Sequence, residues 1–286
     1  MTTAIVTDST AYLPPALLEG LDVRVVPLHV VVGGREHREG VDIDVAAVAA
    51  ALRSFTPVST SRPAPAAFLE AYEAAAAAGA DAVVSVHISA DLSSTLGGAE
   101  LAAEQAPVPV TVVDSRALGM VMGHAVLTGA RAAASGAGPE EVARLVRTTC
   151  EGATVVFYVD TLEYLRRGGR IGRAGALLGS ALSIKPILGL RDGHIVPLER
   201  VRTSTRAIAR IEEMAADAAE AAQDTGATVD VAVHHLDSAE RAGKLAERLR
   251  ARLPDAEVTV VELGAVVGAH VGPGTLAVAV VPRPAG

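Results

Sequence analysis

Through its first half the chain alternates short β-branched runs with longer Ala- and Leu-rich segments, and that alternation restricts the kind of sheet it can build. Ala4–Thr7, Val23–Val32, Ala82–His87 and Val110–Asp114 predict strands. Asp44–Arg53, Pro65–Ala78, Ser94–Gln105, Met120–Ser135 and Pro139–Thr149 predict helices, rich in good helix formers and opening near Asp, Pro or Ser. Strand, helix and strand in turn pack with right-handed crossovers, which predicts an α/β domain with a mainly parallel sheet over 1–150. After Gly152 the pattern changes. Val155–Val159, His194–Leu198, Val229–His235, Val258–Leu263 and Leu276–Val281 alternate with the long helices Thr205–Ala222 and Ser238–Leu253. That strand-rich order predicts a second α/β domain, over 151–286, with a mixed sheet.

Composition narrows the function classes. Aromatic residues are only 2% of the chain and Trp is absent, so Ala, Val, Leu and Ile must fill the interior, which counts against a stacked-ring platform for single strands. The net charge of −8 also argues against a nucleic-acid partner, because phosphodiester backbones need a positive field. Cys150 is the single cysteine, so neither an intramolecular disulfide nor a Cys-based zinc cluster can form. The amino terminus lacks the basic-then-apolar order of a signal peptide, and no apolar stretch reaches membrane-spanning length. A soluble, cytoplasmic protein without stable membrane insertion is the expectation. A P-loop is absent, and His234 and His235, adjacent on a strand, face opposite ways and make a poor chelate. Neither a metal nor a cofactor is expected.

Three predicted strands run into polar clusters: Thr7 to Thr10, Ser89 to Thr95, and Asp114-Ser115. Ligands bind beyond the carboxyl ends of strands in open α/β sheets, although Ser and Asp also cap helices there. Ser59, Thr60 and Ser61 precede a proline that opens a helix, where hydroxyls cap or donate to an oxyanion. Ser93 and Ser94 sit at a strand-to-helix turn that favours an anion, but without the Gly-x-Ser-x-Gly elbow of a hydrolase. Gly168 to Gly175 has the wrong glycine spacing for a dinucleotide site. Its arginines Arg166, Arg167, Arg170 and Arg173, with Arg200, Arg202, Arg206 and Arg210, form either a solvated face or a surface for an acidic partner or phosphate. The run Gly268 to Thr275 places His270 among small residues ahead of an apolar strand. It reads as a loop around a ligand, or as the seat of a buried histidine bonded to a carbonyl.

In order along the chain, Thr7-Asp8-Ser9-Thr10, Thr60-Ser61-Arg62-Pro63, Leu92-Ser93-Ser94-Thr95, Val113-Asp114-Ser115, Gly168-Gly169-Arg170-Ile171, Lys185-Pro186, Val201-Arg202-Thr203 and Gly268 to Gly274 resemble the DegV family of bacterial fatty-acid-binding proteins. The resemblance spans essentially the whole chain. It implies two α/β domains, a ligand tunnel between or beside them, and one bound long-chain fatty acid. It further implies a non-catalytic role in phospholipid metabolism, in which the carboxylate is presented to a separate ATP-dependent fatty-acid kinase subunit that makes acyl phosphate. Carried over by position, Thr60, Ser61, Ser93 and His270 bind the carboxylate, and Arg170, Arg173 and Arg202 face the kinase. Arg62 stands where the family usually has glutamine, and Ser94 where it usually has glycine. An imidazolium at His270 is expected to balance the carboxylate. The competing readings are an acyl hydrolase using Ser93 and His270, which the missing elbow disfavours, and a lipid-binding regulatory protein.

Overall fold

The computed structural model describes residues 1–177 and 184–283; residues 178–183 and 284–286, inside the span expected for the second domain, lie outside the described residues. The chain forms two compact units, Met1–His29 with Ser61–Glu151, and Val30–Thr60 with Gly152–Gly286. The second unit is entered at Gly152, as the change of pattern predicts, but Val30–Thr60 departs from the expected 1–150 division. The cause is apolar: Val30, Val48 and Leu52 share a core cluster with Ala265, and Val32, Ile43, Val58 and Tyr164 pack against it.

In chain order the elements up to residue 151 are β1 (Thr3–Asp8), β2 (Val23–Val26), β3 (His29–Val32), β4 (Arg35–Arg38), α1 (Val45–Arg53), β5 (Val58–Ser61), α2 (Pro65–Ala77), β6 (Ala82–His87), α3 (Thr95–Ala103), β7 (Val110–Asp114), α4 (Met120–Ala134) and α5 (Pro139–Glu151). The first unit is built on a parallel sheet of order β2-β1-β6-β7. Every residue of β1 and β6 is buried, as befits central strands covered on both faces. Alternation divides their side chains. Ala4, Val6 and Val83 cluster with Phe68, Tyr72 and Ala99 of α2 and α3, whereas Ile5, Val84 and Val86 cluster with Met122, Val126, Val142 and Val146 of α4 and α5.

Two expectations fail locally. The run Val23–Val32 is two strands in different sheets, because Pro27 has no N–H to continue the ladder. The hydroxyls of Ser59, Thr60 and Ser61 open no helix: they lie on β5, which pairs in a three-stranded sheet of order β4-β3-β5, and α2 starts at Pro65 with no side-chain cap.

The second unit continues with β8 (Thr154–Tyr158), α6 (Glu163–Arg167), β9 (Lys185–Arg191), β10 (His194–Val201), α7 (Ser204–Asp224), β11 (Thr228–His235), α8 (Ala239–Arg252), β12 (Glu257–Glu262), α9 (Ala265–Val271) and β13 (Leu276–Arg283). Its sheet has the order β10-β9-β8-β13-β11-β12 and is mixed, with β11 and β12 parallel and the other neighbours antiparallel. Ala207, Ile211, Ala215 and Ala219 of α7, with Ala242, Leu245 and Leu249 of α8, pack on Val156, Val231, Val233 and Val278 of the sheet. Small alanines against β-branched strands give close helix-to-sheet contact without aromatic filling. Among the described residues no helix is long and apolar enough to cross a membrane.

Candidate functional site

Of the segment expected as a loop around His270, the first half, Gly268 to Val271, is the end of a helix. Only Gly272 to Thr275 separates α9 from β13. Val266, Val267 and Val271 are poor helix formers, yet Ala265 through Ala269 and Val271 are all buried, so packing overrides propensity. Nor do the glycines here wait for a ligand. A Cβ at Gly272, where φ is +79°, would lie 2.1 Å from the Tyr164 ring. At Gly168 it would lie 2.0 Å from His270 Nδ1. The absent side chains make room for the protein's own rings.

His270 is the last polar residue of α9 and is half-buried. Its Nε2 lies 2.8 Å from Thr60 Oγ1, across 210 residues of sequence. Its Nδ1 is buried against Gly168 and has no hydrogen-bond partner among the described residues. Burial pushes the imidazole pKa down to about 4, and the neighbouring Arg170 guanidinium pushes the same way. Without a bound carboxylate the ring is therefore neutral at pH 7. Arg170 also donates from Nη1 to the Gly168 carbonyl at 2.7 Å, so it faces inward towards the histidine, whereas Arg173 and Arg202 are exposed.

Thr60 and Ser61 are consecutive on β5, whose residues alternate between half-buried and exposed, so their hydroxyls project to opposite faces. Thr60 meets His270; Ser61 is exposed. Ser93 belongs to the first unit, in the turn before α3, where its Oγ lies 2.8 Å from Thr95 Oγ1 and accepts from Thr95 N. Arg62 Nη1 donates to the Ser94 carbonyl at 3.4 Å, so the two positions that depart from the family pattern touch each other.

Sequence reasoning missed a buried chain of polar groups in the first unit. Tyr72 donates to Ser85 Oγ (2.9 Å), Ser85 Oγ lies 2.7 Å from His87 Nε2, and His87 Nδ1 lies 3.1 Å from Asp8 Oδ2. Asp8 also accepts from Ile88 N and from the backbone and hydroxyl of Thr10. The order Ser, His, Asp is that of a hydrolytic triad, but Asp8, Ser85 and His87 are each 0% exposed, so no substrate carbonyl reaches Ser85. The sequence signal was Ser85 and His87 at period two in an otherwise apolar strand. Of the Thr7 to Thr10 cluster, Asp8 and Thr10 belong to this network, and Asp8 caps a 3-10 turn over Ser9–Ala11.

This architecture has relatives. Residues 2–283 match the family model described as "Uncharacterised protein, DegV family". The chain belongs to the DegV family. A DegV domain-containing protein of Streptomyces coelicolor is 51% identical over 281 residues, covering 98% of each chain. Among solved structures, a DegV family protein from Thermus thermophilus, described for its fatty acid binding, superposes with a TM-score of 0.91 at 35% identity, over 99% of this chain and 100% of that one. DegV from Bacillus subtilis, described as a fatty acid binding protein, gives a TM-score of 0.90 at 32% identity with the same coverage.

Proposed function

We propose that this DegV chain binds one long-chain fatty acid and presents its carboxylate to a separate ATP-dependent kinase subunit. The observation that carries the reading is whole-length likeness to two proteins described as fatty acid binding, at 35% and 32% identity. Each buried methylene contributes about 0.8 kcal/mol, so a long acyl chain gains on the order of 10 kcal/mol gross in an aliphatic enclosure. Taking its carboxylate out of water opposes this unless donors meet it. Thr60 supplies a hydroxyl donor and is held in place by His270, whereas Ser61 projects to the opposite face of β5 and Ser93 belongs to the other unit. In the proposed reaction a carboxylate oxygen attacks the γ-phosphorus of ATP on the kinase, giving acyl phosphate and ADP. The binding protein contributes no catalytic group. Arg173 and Arg202, both exposed, would face the kinase, whereas Arg170 faces His270; the setting is cytoplasmic phospholipid metabolism.

Mass spectrometry of the protein purified without added lipid is the test. A co-purifying fatty acid is expected, and the loaded protein should support acyl-phosphate formation with its kinase and ATP. Absence of any fatty acid, with no binding when one is added, defeats the reading. Turnover of acyl esters that is lost in Ser93→Ala would replace it with a hydrolase. A loaded protein that never yields acyl phosphate would replace it with a lipid-binding regulator.

A further inference from the structure

The segment Val30–Thr60 meets α9 at both ends of the helix. At the carboxyl end Thr60 is bonded to His270. At the amino end the helix begins on Gly264, which has no side chain to accept from the N–H groups of the first turn. Those groups need acceptors, which Ser, Thr, Asp or Asn at this position normally supply. Here the acceptor comes from 227 residues away: Glu39 Oε1 accepts from Val266 N at 2.8 Å. Glu39 is only 5% exposed. A carboxylate in so dry a place is tolerated where N–H groups and the positive end of a helix offset its lost hydration.

The turn that carries Glu39 is itself fixed. The Asp42 carboxylate accepts from Arg38 N at 2.5 Å and from Arg38 Nε at 3.2 Å, and the Arg38 carbonyl accepts from Val41 N and Asp42 N. Between the two anchors, Val48 and Leu52 of α1 share a core cluster with Ala265 of α9. A helix this short is about 10 Å long, and a slip of one residue turns its side chains by about 100°. Holding the amino end therefore fixes where the ring at the carboxyl end points.

We propose that Glu39 is the positioning residue for His270: its buried carboxylate caps α9 and so keeps His270 Nε2 on Thr60 Oγ1. The proposal extends the fatty-acid site, so its first test is made on lipid-free protein. Imidazole nitrogen NMR shifts of His270 are compared in the wild type, Glu39→Gln, Glu39→Asp, Glu39→Ala and, as the broken-bond reference, Thr60→Val. Glu39→Gln keeps an oxygen at the same reach and should leave the His270 shifts unchanged. Glu39→Asp keeps the charge but withdraws the oxygen by one methylene, and with Glu39→Ala it should move the shifts towards those of Thr60→Val. Unchanged His270 shifts in a folded Glu39→Asp protein overturn the proposal. So does a Glu39→Gln protein perturbed as much as Glu39→Asp. Where Glu39→Ala does not fold, the Asp and Gln pair still decides.

A second arm compares a fatty acid with the fatty alcohol of equal length. Glu39→Asp should weaken the acid by about fivefold, the worth of one hydrogen bond, and leave the alcohol unchanged. Equal loss of both marks general damage and defeats the positioning role. If the wild type binds neither ligand while the His270 shifts follow the expected order, the fatty-acid reading fails and the Glu39 assignment stands.

Discussion

With its ring against Gly168 and the Arg170 guanidinium nearby, His270 takes up a proton only at about pH 4, against an ordinary 6.5. Below pH 6.5 the unfolded chain gains a proton that the folded chain refuses, so stability present above 6.5 is lost as the pH falls towards 4. Urea unfolding at pH 7 and pH 5 should show the wild type losing on the order of 1–2 kcal/mol more than His270→Gln. Equal losses would place the depressed pKa in error. A carboxylate bound at Thr60 should raise the His270 midpoint, and an NMR titration with and without fatty acid checks it; a midpoint that does not move removes His270 from the head-group site. The pairing of Thr60 with His270 joins two residues singled out from the sequence. The role of Glu39 was not legible there, because a capping acceptor 227 residues from its helix leaves no local pattern.

At the level of elements, the regular strands and long helices follow from periodicity and lie within a few residues of their predicted bounds. The exceptions have local causes. Lys185–Arg191 carries a Pro and a Gly that mask a strand, yet it forms β9 in a hairpin turned by Asp192 and Gly193, both at positive φ. Helix α9 is hidden by its glycines and valines, since only tertiary burial makes such a segment helical. The close approach at its end predicts that Gly272→Ala, at φ +79° and facing Tyr164, costs about 2 kcal/mol or more in urea unfolding. A neutral result would mean that the ring moves aside freely. In the first unit, Asp8→Ala should cost about 3 kcal/mol or more, because it strands His87 Nδ1, Ile88 N and Thr10 N in a fully buried network. Calorimetry that finds Asp8→Ala no worse than a surface substitution would show that the network adds nothing.

For the whole molecule, an α/β fold with one parallel and one mixed sheet was readable from the order of strands and helices, but the small sheet β4-β3-β5 was not. The crossing of Val30–Thr60 into the second unit was not, because its apolar residues carry no mark of which core they join. Hydrogen exchange with rising denaturant should show Val30, Val48 and Leu52 losing protection together with Ala265 and not with Ile5 and Val84. Protection shared with Ile5 and Val84 would return the segment to the first unit. The crossing also bears on synthesis. Glu39 must wait for Val266, 227 residues later, which at ribosomal rates of about 5–20 residues per second is roughly 10–45 seconds. Once Glu151 has emerged the first unit has all of its own residues and can close, while Val30, Val48 and Leu52 still wait for Ala265, their core partner on α9.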